Sequence, residues 1–143
     1  MGRLLAIDYG SKRCGIAETD DLQLIASPLQ TVATEQLMAF LEGYISRYKV
    51  DTIVVGDPVN WNMTASNASE GANALAQRLR KKFPLLSIDR EDESFSSKLA
   101  MQAMIQGGVK KMARREKERL DKIAATIILQ NYLERRRIKG KDM

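Results

Sequence analysis

No histidine occurs among the 143 residues, and Cys14 is the single cysteine. The first absence excludes Ser-His-Asp triads and His-ligated zinc sites. The second excludes an intrachain disulfide and a metal centre built from thiolates. Any catalysis must then rest on carboxylates, lysines, hydroxyls or a metal held by oxygen ligands. Long apolar runs are missing too: none approaches the length of a membrane span. The N-terminus lacks the basic, long-apolar, small-residue order of a signal peptide, so the expectation is a cytoplasmic protein with no membrane partner. What is present is ordinary for a globular chain. An apolar content of 44% and a charged content of 29% suit a core of normal size, and the length predicts one domain over residues 1–143.

The charge is uneven. Residues 109–143 carry twelve Lys and Arg against five Asp and Glu, whereas residues 1–108 carry eleven against thirteen. A basic end on a nearly neutral body suits a polyanionic partner, and it equally suits a solvated helix with a basic tail.

Along the chain, "RLLAID" and "RCGIAET" read as two antiparallel strands joined by a turn at Tyr9–Arg13. "LQLIASPLQTV" holds a short third strand that Pro28 should end. "TEQLMAFLEGYISRYK" has apolar residues at helical spacing, with Thr34 as the expected N-cap. "DTIVVGDP" reads as a short strand with an apolar core at Ile53, Val54 and Val55, as in a parallel strand covered on both faces. After a polar loop with Asn60, Trp61 and Asn62 come a helix stopped by Pro84, the strand "LLSIDRED", and a helix in "SSKLAMQAMIQGG". A basic loop containing Lys110, Lys111, Arg114 and Arg115 leads to a final helix over roughly 115–137 and is expected to close over a phosphate backbone. Three antiparallel strands followed by alternating helices and strands predict an α/β mixed sheet.

Three carboxylates draw attention. Asp8 ends an apolar strand, where an unpaired charge is costly; it either caps its own turn or binds something. Asp92 and Glu93 follow the last strand. Asp121 falls within about 60° of Ala124, Ala125, Ile128 and Tyr132 around the last helix, hence on the face expected to pack on the sheet. Ligands of α/β sheets gather outside the carboxyl ends of strands. Three acids brought together there repel one another, and a divalent cation removes that penalty. Oxygen ligands alone favour Mg²⁺ or Mn²⁺, and two such ions suit hydrolysis of a phosphodiester.

"LLAIDYGSKRCGIAETD", "DTIVVGDP", "DESFSSKLA" and "LDKIAATIILQNYLE" resemble, in order and over nearly the whole chain, the motifs of the YqgF/RuvX family. These are bacterial ribonuclease-H-like proteins described both as Holliday junction resolvases and as nucleases maturing the 5′ end of 16S ribosomal RNA. The resemblance implies a ribonuclease-H-like fold with a mixed five-stranded sheet and helices on both faces. It implies Asp8, Glu93 and Asp121 as catalytic, metal-binding acids, with Lys12 and Arg13 facing phosphate. The implied partner is a ribosomal RNA precursor, on or off ribosomal particles, or else a DNA junction.

The chain departs from the family pattern in places. Ser94 stands where an arginine is usual, which removes a bidentate phosphate ligand. Gly56-Asp57-Pro58 replaces Gly-Leu-Pro, and "NWNMTASN" replaces a Met-Asp-Gly loop. Trp61 in that loop could stack on a base or cover the core edge. Two other functions compete. The phosphate hairpin of actin-like ATPases begins similarly but needs a second lobe, and a binding module could keep the fold without the chemistry.

Overall fold

Strand β1 (Arg3–Asp8) is the middle strand of a five-stranded sheet. The computed structural model describes residues 2–10, 12–56, 67–91 and 114–141, with side chains placed there except at 67–70, 114–121 and 137–141. After β1 come β2 (Arg13–Thr19), β3 (Ala26–Ala33), a 3-10 turn at Thr34–Gln36, α1 (Leu37–Arg47), β4 (Val50–Gly56), α2 (Asn67–Lys82), β5 (Ser87–Glu91) and α3 (Arg114–Lys141). Spatially the strands run β3-β2-β1-β4-β5. The β1–β2 and β2–β3 pairs are antiparallel, and β1–β4 and β4–β5 are parallel. The sheet is mixed, as expected.

Period-2 alternation divides each strand between two cores. Leu5 and Ile7 of β1, with Ile53 and Val55 of β4, pack on Leu37 and Leu41 of α1 and Leu75 and Leu79 of α2. Leu4 and Ala6, with Val54, pack on Ala125, Ile128 and Leu129 of α3. Helices thus cover both faces, which is why β1 and β4 read as unbroken apolar runs. The large aliphatic side chains of this set contribute about 1.5–3 kcal/mol each on burial. Among the described residues no helix is long and apolar enough to cross a membrane.

Several local expectations change. Strand β3 does not end at Pro28 but runs through it, pairing Pro28 with Ala17 beside a register shift at Ile16/Ala17. Strand β3 is at the sheet edge, and an edge strand with a bulge beside it tolerates a residue that cannot donate. Thr34 does not cap α1; its side chain is committed to the turn after β1. Strand β5 begins only at Ser87, because Leu85, 97% exposed, and Leu86 lie in the turn after Pro84. The helix expected in "SSKLAMQAMIQGG" and the loop with Asn60, Trp61 and Asn62 lie outside the described residues.

Candidate active site

The parallel register lines up Asp8, Gly56 and Glu91, the last residues of β1, β4 and β5. On the other side Asp8 faces Gly15 of β2. Alternation from Leu4 and Ala6 puts half-buried Asp8 on the α3 side of the sheet. A carboxylate at the carboxyl end of the central strand, between two positions without side chains, is the kind of site where α/β sheets bind ligands.

The turn after Asp8 is tied down from both faces. The Thr34 hydroxyl donates to the Gly10 carbonyl at 2.6 Å, and the Thr34 amide donates to the Lys12 carbonyl at 3.0 Å. A Cβ on Gly10 would come within 2.4 Å of the Arg13 carbonyl oxygen, so this turn needs glycine. Tyr9 lies against α2 so closely that a Cβ on Gly71 would meet its ring at 2.5 Å. The turn therefore presents exposed Lys12 and half-buried Arg13 next to Asp8 on a fixed backbone. Thr34 is a positioning residue that capping logic missed, because its partner is 24 residues away in sequence.

Helix α3 crosses the same edge. A Cβ on Gly56 would fall 2.3 Å from Cδ1 of Ile128, so α3 approaches the end of β4 through the gap that glycine leaves. Asp121 stands two turns before Ile128, about 10 Å along the axis and rotated by only about 20°. Ala124, Ala125, Ile128 and Tyr132 are all buried, as the helical periodicity predicted. Position 121 thus shares the sheet-facing side of α3, though its side chain lies outside those described. Glu93, Asp92, Lys110 and Lys111 also lie outside the described residues. Arg114 and Arg115, expected in a loop, belong to the first turn of α3. From Arg114 to Asn131 no Gly or Pro interrupts the helix formers, so the helix starts where expected, and it runs on past Arg137 to Lys141.

Two further carboxylates face α3 from β5. The buried Glu91 accepts from Arg135, and Asp89 accepts from the Tyr132 hydroxyl. Burial, with the Asp89 hydrogen bond second, pushes the Tyr132 phenol up to about 12, so it stays a donor at neutral pH. The signal for these contacts was available in the sequence. Asp89 and Glu91 are two apart on a strand, and Tyr132 and Arg135 are three apart on a helix, so each pair shares one side of its element.

Among the described residues no group of three or more His, Cys, Asp or Glu comes together; Glu93 lies outside them, and the Asp121 side chain is not among those placed. The donor chemistry nevertheless suits a hard divalent cation. Asp8 offers carboxylate oxygens at a strand end, and the chain has no imidazole or thiolate pair to compete.

A family model described as "RuvX: Holliday junction resolvase" matches residues 2–135. The chain belongs to the RuvX family. A relative from Christiangramia forsetii is 47% identical over 133 residues, 93% of this chain and 98% of that protein. Another from Phocaeicola vulgatus is 48% identical over 134 residues, 94% of this chain and 96% of that protein. Both carry the name "Putative pre-16S rRNA nuclease". Among solved structures, the fowlpox virus Holliday junction resolvase superposes with a TM-score of 0.51 at 15% identity, covering 92% of this chain and 98% of its own. That likeness concerns the fold, which is ribonuclease-H-like. As a RuvX member the chain is a nuclease, a phosphodiester hydrolase acting on nucleic acid, and a divalent metal is the cofactor class that its carboxylates suit.

Proposed function

We propose that residues 1–143 act as one cytoplasmic, metal-dependent nuclease domain that matures the 5′ end of the 16S ribosomal RNA precursor, free or within ribosomal particles. Asp8, Glu93 and Asp121 hold two Mg²⁺ or Mn²⁺ ions. Lys12, Arg13, Lys110, Lys111, Arg114 and Arg115 hold the phosphate backbone. The observation that carries this reading is Asp8 at the carboxyl end of β1, on the side where α3 closes on Gly56. The RNA assignment is supported by near-full-length relatives that carry a pre-16S name.

When bound, two ions supply an activated water and offset the charge on the leaving oxygen. The chain does the rest. Asp8 stays on the rigid central strand, so its oxygens keep one direction as substrate enters. Lys12 and Arg13 sit on the turn that Thr34 clamps, and they orient the phosphate relative to Asp8. Arg114 and Arg115 occupy the first turn of α3, where the helix dipole disfavours cations and an anionic backbone relieves them.

The family description favours a second reading, cleavage of a DNA four-way junction. Symmetric cutting of two strands calls for a two-fold dimer. The test offers purified protein with Mg²⁺ or Mn²⁺ both a 16S precursor 5′ fragment and a four-way DNA junction, while depletion in the cell is followed by mapping 16S 5′ ends. Expected are cleavage of the RNA and accumulation of extended 5′ ends. Preferential cutting of the junction with normal 16S ends would establish the second reading. Asp8→Asn should abolish cleavage while leaving the melting temperature and RNA binding near wild type; cleavage at the wild-type rate would remove Asp8 from the mechanism.

A further inference from the structure

A cleft of about 220 Å³ opens on the α1/α2 side of the sheet, across the end of β1 from Asp8. Tyr9, Leu37, Met38 and Leu75 give it apolar walls, and the exposed Glu35 and Arg78 line it as well. Tyr9 follows Asp8 in sequence, so alternation turns the two side chains to opposite faces: Tyr9 packs on the α1/α2 core, whereas Asp8 continues the α3 side of Leu4 and Ala6. Thr34, which clamps the turn carrying Lys12 and Arg13, lines the same cleft. The cleft and the phosphate-facing turn therefore share the carboxyl end of β1, on the edge where α/β sheets bind ligands.

The cleft does not suit a phosphate. Glu35 and Arg78 contribute one charge of each sign, and most of the remaining wall is apolar. Its volume lies below the roughly 300–1,000 Å³ of sites for drug-sized ligands, so it suits a single ring system. One wall is already aromatic. The Tyr9 ring rests against α2 where Gly71 leaves room for it, so it is ordered before any ligand arrives. Among the described residues the Tyr9 hydroxyl and the Glu35 and Arg78 side chains make no hydrogen bond or ion pair, which leaves donors and an acceptor for the edge of a ligand. A planar, uncharged heterocycle with donors and acceptors on its rim meets all of these features, and unpaired nucleobases are recognised in this way. A strand with one phosphate at Asp8 would turn a neighbouring base across the end of β1 toward Tyr9.

We propose that the cleft beside Tyr9 is a nucleobase subsite, which takes an unstacked base of the single strand next to the cleaved bond. The subsite rests on the nuclease reading and adds to it a preference for unpaired substrate at the cleavage point, because a paired base would first have to leave its partner.

The test is binding, in EDTA where no cleavage occurs, of a fluorescent single-stranded RNA dodecamer and of an abasic dodecamer with the same sugar-phosphate backbone. Tyr9→Leu keeps an apolar side chain against α2 and removes the stacking face. Ala74→Leu fills the cleft from an exposed position of α2 with a good helix former, which keeps the test valid if the Tyr9 change disturbs the fold. Each should weaken binding of the dodecamer by about five- to tenfold, the low end of what one stacked base is worth. No phosphate contact is lost, so the log–log salt slope should stay at its wild-type value. The abasic strand should bind all three proteins alike. Wild-type affinity for the dodecamer in Ala74→Leu, an equal loss on the abasic strand, or a flattened slope would overturn the subsite, as would failure of wild-type protein to bind the dodecamer. With Mg²⁺, one abasic nucleotide beside the mapped cleavage point of precursor RNA should raise KM about as much as Ala74→Leu does, and one placed far from it should not; the reverse would overturn the placement. Cleavage by wild-type protein, scored separately, reports on the nuclease reading. Cleavage without base-dependent binding removes the subsite alone, and base-dependent binding without cleavage removes the nuclease reading alone.

Discussion

Gly56 to alanine is the smallest change that tests whether α3 and the strand ends form one unit. The added Cβ would lie 2.3 Å from Cδ1, 2.9 Å from Cγ1 and 3.0 Å from Cγ2 of Ile128. Ile128 is 1% exposed, and because Cγ1 and Cγ2 as well as Cδ1 meet the new Cβ, swinging the end of the side chain does not clear it and the helix has to shift. Overpacking of this kind costs about 1–3 kcal/mol. Unfolding entropy for a chain of this length is about 0.3 kcal/mol per kelvin, so a loss of about 2 kcal/mol lowers the melting temperature by about 7 °C. Restoring van der Waals contact requires a displacement of about 1 Å, and a misplacement of that size costs about 100-fold in turnover. Ile128→Val deletes the atom nearest the clash and should cost about 1 kcal/mol alone. In the double variant the two losses should fall short of their sum by about 1 kcal/mol, with part of the turnover restored. The assays are thermal melts of all four proteins and single-turnover cleavage with Mg²⁺. A Gly56→Ala protein that melts with wild type, or strict additivity in the cycle, would refute the close approach of α3 to β4.

Asp121→Asn should cut activity by orders of magnitude and blunt the response to Mg²⁺ or Mn²⁺, whereas Lys122→Ala, about 100° round the helix, should change stability by at most about 1 kcal/mol and activity little. The opposite pattern in a metal titration would mean that the helix face is wrongly assigned. Replacing Lys110, Lys111, Arg114 and Arg115 with alanine should flatten the salt dependence of RNA binding by up to about 0.7 log units per lost contact, read by fluorescence anisotropy. Tyr132→Phe loses the hydrogen bond to Asp89, which costs about 1 kcal/mol at neutral pH. Because the folded phenol titrates at about 12, above its ordinary 10, wild type keeps this advantage below pH 10 and loses it as pH rises toward 12. Melting temperatures of the two proteins should therefore converge between pH 10 and 12, and a constant gap would contradict the burial of that hydroxyl.

The sequence by itself determined what local periodicity can carry. The antiparallel β1–β2 pair, the doubly covered apolar β4 and the sheet-facing stripe of α3 were all legible, because burial imposes periods of 2 and 3.6 on neighbouring residues. The motif order was sufficient to identify the family before any contact was known. Only the tertiary structure decided which partners local signals serve. Thr34 carries the sequence mark of a helix cap, yet its hydroxyl goes to Gly10, because folding brings the end of β3 beside the turn after β1. Pro28 reads as a strand end and is not one, since its effect depends on whether a further strand needs its amide, and β3 is an edge. The spacing of Asp89 and Glu91 marks one side of β5, but only the packing of α3 gives them Tyr132 and Arg135 as partners. Gly56 reads only as part of the strand "DTIVVGDP", but its value lies in the missing Cβ that admits Ile128 from 72 positions further along the chain. Such pairings depend on how the helix crosses the sheet, a property of two packed surfaces that neither stretch of sequence encodes alone.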